Sequence, residues 1–199
     1  MSTIDGTRGC VEDGSDADLV AASEADPVAF DVLFDRHVAA IHGYLCRRVG
    51  PSLAEELTAE TFARAFELRE RFVSPDGRAA PWLYGIATNL IRNAWRAERR
   101  RLAAYGRARS AVPVAPDDLE RADERIDAAR AAARAASAIM ALEPGDRDAL
   151  VLFAWEELTY VEIGAALGIP PGTVGSRINR ARRLVRAALT RHDSTDGAR

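Results

Sequence analysis

Residues 159–189 read TYVEIGAALGIPPGTVGSRINRARRLVRAAL and predict two helices joined by a tight turn. Thr159 and Glu162 have the spacing of a capping box, so the first helix is predicted to begin there. Gly168 predicts the end of that helix, and the two prolines after it allow only the start of a new one. Helices joined by so short a turn must cross, which predicts a helix-turn-helix.

The second of these helices combines an apolar stripe with an arginine-rich remainder. At about 100° per residue, one side collects Val174, Ile178, Ala181, Val185, Ala188 and Leu189. Between residues 171 and 191 there are six arginines and no acid. An ordinary solvated basic helix is the simpler interpretation. However, the preceding helix offers an apolar seat that would hold the arginines outward, as entry into the DNA major groove requires. The predicted DNA contacts are Thr173, Ser176, Arg177, Asn179, Arg180 and Arg183.

The net charge of −3 conceals two basic blocks. Residues 71–109 contain nine arginines and two acids, and residues 171–191 contain six arginines and no acid. By contrast, residues 1–35 contain nine acids and one arginine. The distribution of charge predicts binding better than the total does. Two separate basic blocks therefore predict two contacts with one polyanion.

Composition excludes several classes of protein. The longest uninterrupted apolar run, residues 149–155, is far shorter than a membrane span. The only cysteines, Cys10 and Cys46, indicate a reducing compartment, so we predict a cytoplasmic protein. No P-loop, G-x-S-x-G, H-E-x-x-H or paired-carboxylate motif occurs, which predicts no enzymatic activity, no cofactor and no metal. His42 lies four residues before Cys46, but two ligands alone make a poor metal site.

The hydrophobic pattern predicts an all-α fold with two small helical domains joined by a flexible linker. Apolar residues recur every three or four positions from Phe30 to Val49, where a Gly-Pro pair ends the helix. Ser52 and Glu55 predict a second capping box and a second helix. Residues 72–80 read as a loop. A third helix is then predicted from Pro81, with one apolar side formed by Leu83, Ile86, Ala87, Leu90 and Ala94.

The rest of the chain sets the domain boundaries. Two prolines near residues 110–118 predict a linker, an alanine-rich helix follows over 119–142, and Pro144 begins another. The predicted organisation is a disordered acidic tail, a first domain, a linker, a helix-turn-helix domain and a second disordered tail. Their boundaries are 1–15, 16–104, 105–136, 137–191 and 192–199.

The predicted third helix also has a chemistry suited to an opened DNA strand. Arg92 and Arg96 are four residues apart and share one face, and Asn89, Asn93 and Trp95 are interleaved with them. Arginines neutralise phosphates, amides bond base edges, and aromatic rings stack on unpaired bases. A tryptophan at helical spacing is also a common core residue, so packing remains the alternative for Trp82 and Trp95.

Three sequence blocks resemble those of the extracytoplasmic-function (ECF) sigma factors of bacterial RNA polymerase. They are AEELTAETFARAF at residues 54–66, PWLYGIATNLIRNAWRAERR at 81–100, and a block that runs from ALEPGDRDAL to the end of TVGSR over 141–177. The blocks occur in the family's order, and the resemblance covers residues 30–101 and 138–189. A helix-turn-helix alone would be much weaker evidence.

This resemblance implies a function for each domain. The first would be sigma region 2, which binds core RNA polymerase and opens the minus-ten element, and the second would be region 4, which reads the minus-thirty-five element. The helix over 54–66 would contact the clamp coiled coil of the largest polymerase subunit. The implied contacts are Glu56, Glu60, Thr61 and Arg64, although Ala59 stands where the family commonly has glutamine. An anti-sigma factor is an implied further partner.

The loop over residues 72–80 corresponds to the family's segment that captures a base flipped out of the minus-ten duplex. Extruding a base costs a few kcal/mol, so a shaped pocket gives selectivity as well as opening. The implied minus-ten contacts are Ser74, Asp76, Arg78, Trp82, Asn89, Arg92, Asn93 and Arg96. The family usually has an acid at Asn93, and relatives often carry lysine at Gly175.

Two other functions remain as alternatives. A stand-alone helix-turn-helix transcriptional regulator would explain residues 159–189 equally well, but it gives no purpose to the basic third helix. A protein-interaction adaptor could dock its basic faces on an acidic partner, but it would not need a helix of the size of a DNA groove. The resemblance therefore favours a sigma factor.

Overall fold

The computed structural model describes residues 14–74, 76–105 and 123–196, and every regular element within these ranges is a helix. The all-α prediction is therefore confirmed. The chain divides into two compact units, one containing residues 1–99 and the other containing most of residues 100–199. Residues 1–13 of the predicted N-terminal tail and much of the predicted linker lie outside the described residues. Among the described helices, none is both long and apolar enough to cross a membrane.

The N-terminal unit is built from four helices. They are α1 (Asp16–Ala25), α2 (Val28–Val49), α3 (Pro51–Leu68) and α4 (Ala80–Tyr105), with a 3-10 turn at Arg69–Arg71 after α3. Helix α2 packs against both α1 and α3. Edge-to-face ring contacts join α2 to α3, Phe30 to Phe66 and Phe34 to Phe62. Such pairs contribute about 0.5–1.5 kcal/mol beyond the burial of their surface.

Helix α1 was not anticipated as an element of its own. Ser15 and Asp18 form a capping box, because the Ser15 hydroxyl accepts the Asp18 N–H and the Asp18 carboxylate accepts the Ser15 N–H. Leu19 and Val20 of this helix are buried. The disordered tail predicted over 1–15 therefore ends at a residue that caps a helix.

Two expectations for the following helices are corrected. The capping box predicted at Ser52 and Glu55 does not form, because α3 already begins at Pro51 with Gly50 before it in a left-handed conformation. Proline is well suited to the first helical position, since its missing N–H would have had no partner within the helix and its fixed φ is already helical. Helices α2 and α3 thus meet at a sharp corner.

The buried side of α4 is also shifted from the one predicted. Leu83 and Ala87 are buried as expected, but Ile86, Leu90 and Ala94 are only half-buried. The core positions that the pattern missed are Tyr84, Thr88 and Ile91. Thr88 is tolerated there because its hydroxyl lies 2.8 Å from the hydroxyl of Tyr44, which is itself fully buried. Counting only apolar residues therefore overlooked a polar core position.

The C-terminal unit contains the remaining helices. They are α5 (Asp123–Met140), α6 (Pro144–Ala154), α7 (Tyr160–Leu167) and α8 (Pro171–Asp196), and α8 packs against α5 and α6. Helix α5 begins inside the range assigned to the linker. Helix α8 continues past the predicted boundary at residue 191 and into the predicted tail. No glycine or proline interrupts the chain between Gly175 and Gly197, so nothing in the sequence ends the helix earlier.

Candidate nucleic-acid interface

The helix-turn-helix begins with the cap that the sequence predicted. The Glu162 carboxylate accepts hydrogen bonds from the Thr159 N–H at 2.8 Å and from the Thr159 hydroxyl at 2.7 Å. In return, the Thr159 hydroxyl accepts the Glu162 N–H at 3.3 Å. This reciprocal arrangement satisfies two donors at the helix end that would otherwise lack partners. It fixes where α7 starts.

Two glycines shape the turn between α7 and α8. Gly168 has a φ of +65°, a conformation that glycine adopts without the steric cost met by other residues. Gly164 accepts the Ile169 N–H at its carbonyl, at 3.0 Å. A Cβ atom at Gly164 would lie only 2.8 Å from the Ile169 carbonyl oxygen. The turn can therefore close tightly only because residue 164 has no side chain.

Helix α8 is seated by its apolar stripe, as predicted. Val174, Ile178 and Ala181 are fully buried. The opposite side presents Ser176, Asn179, Arg180 and Arg183, all exposed and spaced three or four residues apart. We call these four residues the α8 face. Thr173 and Arg177 lie at its border and are half-buried. The structure thus brings together the six residues predicted for this contact on one side of α8.

The arginines of α8 are not equivalent. Arg180 reaches back to α6, where its guanidinium lies 3.4 and 3.5 Å from the two carboxylate oxygens of Asp146. Asp146 is buried, whereas the side chain of Arg180 is 55% exposed. Arg177 also approaches α6, since a Cβ atom added to Gly145 would lie 2.7 Å from its guanidinium. No sequence pattern indicated that Asp146 would orient a predicted DNA-binding arginine.

Arg182 has a role that differs from the phosphate contact suggested by its charge. Its guanidinium lies over the ring of Phe153 on α6, 4.7 Å from the ring centre. Phe153 in turn packs against Tyr160, with ring centres 5.5 Å apart. Arg182 therefore covers an aromatic pair and helps to hold α8 against α6 and α7, since such a cation over a ring is attractive.

Helix α4 carries the second basic surface. Asn89, Asn93 and Arg96 are exposed and Arg92 is half-buried, and their spacing places all four along one side of the helix. We call them the α4 face. Its composition is the predicted mixture of guanidinium and amide groups, and it lies opposite the buried residues of α4. An exposed face of this kind can contact both phosphates and bases.

Both tryptophans of this region are half-buried and partnered. The ring of Trp82 lies 5.0 Å from that of Phe72, centre to centre. The Arg48 guanidinium lies over the ring of Trp95 at 5.2 Å. Trp82 therefore joins the start of α4 to the start of the preceding loop.

The loop before α4 is ordered by its own polar residues. The Asp76 carboxylate accepts the Ser74 hydroxyl at 2.7 Å and the Arg78 N–H at 3.3 Å. The hydrogen bond from Ser74 and that from the Arg78 backbone lower the pKa of Asp76. Gly77 has a φ of +72°, which lets the chain reverse between them. Asp76 and Arg78 are exposed and Ser74 is half-buried, so the loop presents polar groups on its outer side.

Asp16 ties this loop to the first helices. One carboxylate oxygen accepts the Ala79 N–H at 2.8 Å and lies 2.9 Å from His37 Nε2. The other accepts the Arg36 guanidinium at 2.8 Å. Nothing in the sequence pattern around Asp16 or His37 indicated such a role. Only the fold brings together groups separated by more than sixty positions.

Acidification is expected to release this connection. Burial alone raises the pKa of Asp16, but the Ala79 N–H, the Arg36 guanidinium and nearby His37 together hold that pKa below its usual value. A carboxyl with a lowered pKa stabilises the fold at neutral pH, and this contribution is lost as pH falls through that pKa. The chemical shift of the Ala79 amide should therefore change below about pH 4. In Asp16→Asn the same amide should show no such titration.

The residues implied as polymerase contacts all lie on α3, and all but one of them are at its surface. Glu56 and Arg64 are exposed, and Arg64 forms ion pairs with Glu60 at 2.8 Å and with Glu67 at 3.4 Å. Thr61 is fully buried, and its hydroxyl donates to the Leu57 carbonyl at 2.6 Å. Thr61 is therefore a core residue of α3 and is withdrawn from the predicted contacts. Its polarity suggested the surface, but a hydroxyl bonded to its own helix can be buried.

His42 and Cys46 of α2 form a short chain of polar contacts with Thr58 of α3. Cys46 Sγ lies 3.2 Å from His42 Nε2, and His42 Nδ1 lies 3.1 Å from the Thr58 hydroxyl. Within the described ranges, no cluster of three or more histidine, cysteine or acidic side chains could hold a metal ion. The contact between His42 and Thr58 joins α2 to α3.

Two protein families match this chain. Residues 33–101 match the family described as Sigma-70 region 2, and residues 133–185 match Sigma-70, region 4. The first match contains the loop before α4 and α4 as far as residue 101, and the second contains α7 and α8 as far as residue 185. Each basic face thus falls within a different one of the two families.

Relatives match over most of their length. The chain is 36% identical over 164 residues to RNA polymerase sigma factor CarQ of Myxococcus xanthus, covering 81% of this chain and 89% of that protein. It is 30% identical over 184 residues to RNA polymerase sigma factor CnrH of Cupriavidus metallidurans, covering 87% and 95%. It is 28% identical over 176 residues to ECF RNA polymerase sigma factor SigL of Mycobacterium tuberculosis, covering 87% and 96%.

Solved structures give the same fold. The chain is similar to CnrH, solved in complex with the cytosolic domain of CnrY, with a TM-score of 0.61, 26% identity, and coverage of 89% of this chain and 98% of that one. It is also similar to the sigma factor RpoE of Bartonella quintana, solved with the anti-sigma factor NepR. There the TM-score is 0.60 at 20% identity, with coverage of 81% and 96%.

Proposed function

Because the chain belongs to the ECF sigma factors of bacterial RNA polymerase, we propose that it brings core polymerase to promoters and recognises their minus-thirty-five and minus-ten elements. In this function it also promotes opening of the strands at the minus-ten element. It acts as an initiation factor without catalysis of its own. Its site of action is the cytoplasm, where core polymerase works.

The observation that carries this proposal is the presence of two exposed polar faces on two separate units. The α8 face combines two arginines with Ser176 and Asn179 and belongs to a helix-turn-helix, which suits the bases and phosphates of an intact major groove. The α4 face adds amides beside a polar loop, which suits a strand being opened. A promoter offers both kinds of DNA at successive positions.

The stand-alone regulator is not favoured. It accounts for the match to region 4 but not for the match to region 2 over residues 33–101. It also gives no reason for an exposed α4 face beside an ordered polar loop. A protein-interaction adaptor accounts for neither family match.

Run-off transcription with purified core polymerase tests the proposed function. The chain should support initiation from at least one promoter of its own genome, whereas core polymerase alone should not. If it supports none of these promoters but binds duplex DNA by itself, the regulator is the better description. Transcription start sites mapped after overexpression would supply the promoters.

We propose Glu56 and Glu60 as the polymerase contacts of α3. Replacing both with alanine should raise the Kd for core polymerase roughly tenfold or more, because each lost charged hydrogen bond costs about 1.5–3 kcal/mol. Fluorescence titration of labelled core polymerase measures this change. Glu24→Ala, an exposed acid on α1, is the matched control and should leave the Kd unchanged. Equal losses in both variants would point to general charge rather than to this surface.

An anti-sigma factor is the proposed regulatory partner. CnrH and the RpoE protein were each solved with another protein bound, the cytosolic domain of CnrY and the anti-sigma factor NepR. The similarity to CnrH extends over 95% of that protein, so a comparable partner for this chain is expected. Co-purification with the membrane or cytosolic fraction of the source bacterium would identify it.

A further inference from the structure

We propose that Asp16 on α1 is the positioning residue for the loop at residues 72–79, and that it thereby sets selectivity for the minus-ten element. This inference rests on the proposed function, which assigns minus-ten recognition to the loop. It adds α1, which lies outside the residues matched by Sigma-70 region 2. Asp16 itself would touch no DNA, because it is buried.

The connection between α1 and the loop is made at two successive points. The Ala17 N–H donates to the Gly77 carbonyl at 3.0 Å, and the Asp16 carboxylate accepts the Ala79 N–H at 2.8 Å. Gly77 also lies beside α1, since a Cβ atom there would be in ordinary van der Waals contact with the Ala17 side chain, at 3.7 Å. The first turn of α1 therefore fixes the second half of the loop by its backbone.

The bond to Ala79 matters because of where Ala79 lies in the chain. Ala79 is fully buried and its carbonyl accepts the Leu83 N–H at 2.9 Å, so it stands at the junction between the loop and α4. Holding the Ala79 N–H sets where α4 begins. The described loop residues Ser74 and Asp76–Arg78 then lie between the ring contact of Phe72 with Trp82 and the bond at Ala79.

The Asp16 carboxylate is itself fixed in place by contacts from two residues of α2. The Arg36 guanidinium donates to the Asp16 carboxylate at 2.8 Å and to the Gly14 carbonyl at 3.1 Å. His37, next along α2, lies 2.9 Å from the other carboxylate oxygen. A charged group whose oxygens are all engaged is a rigid anchor, since each bond restricts its rotation. The position of α2 therefore determines, through Asp16, where the Ala79 end of the loop lies.

An open groove lies between α1 and the start of the loop. Its volume is about 340 Å³, and its walls include Ala17, Val20 and Glu24 of α1 and Phe72, Val73 and Ser74 of the loop. Val73 is 86% exposed beside it. The shape of this surface depends on where α1 places the loop, so displacement of α1 would change what the loop presents.

The test compares promoters that share a minus-thirty-five element and differ only in the minus-ten bases. For each variant, the ratio of transcription from the preferred promoter to that from the altered ones is measured in holoenzyme. Asp16→Ala should reduce this ratio roughly three- to tenfold, as loss of a hydrogen bond of ordinary strength implies. The affinity for core polymerase and the preference among minus-thirty-five elements should not change. A loss that is equal on all promoters would overturn the proposal.

Two further variants separate positioning from stability. Asp16→Asn keeps an oxygen that accepts the Ala79 N–H, so it should restore part of the minus-ten preference, and it carries the test if the alanine variant does not fold. Ser15→Ala removes the cap of the same helix but no bond to the loop, so it should leave the preference unchanged. If Ser15→Ala reduces the preference as much as Asp16→Ala does, α1 acts only through general stability and the proposal fails.

Hydrogen exchange in the free protein gives a result that does not depend on transcription. The Gly77 and Ala79 amides should exchange faster in Asp16→Ala than in the unaltered chain, while amides of α3 keep their rates. Unchanged exchange at Ala79 would overturn the proposal directly. If the unaltered chain supports no transcription, the proposed function fails, and the exchange measurement still decides whether Asp16 positions the loop.

Discussion

Replacing Arg180 with alanine is expected to lower transcription from promoters that depend on the minus-thirty-five element by roughly 10- to 100-fold. An arginine that contacts guanine in the major groove with two hydrogen bonds discriminates against other bases by about 1–3 kcal/mol. The Arg180 side chain is exposed on the α8 face, and Asp146 holds its guanidinium from behind. Run-off transcription from promoters with each base at every minus-thirty-five position measures the loss.

The alanine variant alone is ambiguous, because it leaves the buried Asp146 carboxylate without this partner and can destabilise α6. Arg180→Lys resolves the ambiguity. Lysine keeps a charge for Asp146 but lacks the planar fork that reads guanine, so stability should be retained and base preference lost. Arg186→Ala, an exposed arginine about one turn of α8 beyond the α8 face, should weaken all promoters equally or not at all. A preference unchanged in both Arg180 variants would contradict the assignment of the α8 face.

The sequence predicted some features of the candidate interface in detail and missed others. The helix-turn-helix was predicted well because its determinants are local: Thr159 and Glu162 are three residues apart, and Gly168 ends α7 by its own conformation. The stripe of Val174, Ile178 and Ala181 follows directly from helical periodicity. Each of these features is confirmed in the structure.

What the sequence did not predict depends on contacts between distant residues. No local sequence pattern indicates that Asp16 bonds to Ala79 or that Asp146 bonds to Arg180, since the members of these pairs come together only after folding. Helix α1 itself could have been found, because Ser15 and Asp18 have the spacing of a cap. The burial of Thr61 and Thr88 was missed for a further reason: a hydroxyl that bonds within the core is hidden from a pattern that counts only apolar residues.

Because the helix-turn-helix depends on a few contacts between nearby residues, a substitution at one position is expected to destabilise it. Gly164→Ala is expected to lower the free energy of opening of α7 and α8 by about 1–3 kcal/mol, the usual cost of forcing an extra methyl group into a packed site. The added Cβ would lie 2.8 Å from the Ile169 carbonyl oxygen, which belongs to the backbone and cannot rotate away. Native-state hydrogen exchange at the Ile178 amide measures this free energy in the full chain.

Gly172→Ala is the matched control, because the same change is made in the same motif where a Cβ atom would meet nothing within 4 Å. Alanine there should leave the free energy of opening unchanged or raise it by up to about 1 kcal/mol, since it restricts the unfolded chain. The two variants should also differ in function, with transcription from minus-thirty-five-dependent promoters reduced only in Gly164→Ala. Equal stability in the two variants would show that the turn can relax around a side chain, and the tight approach of α7 to Ile169 would then not be needed to hold the α8 face in place.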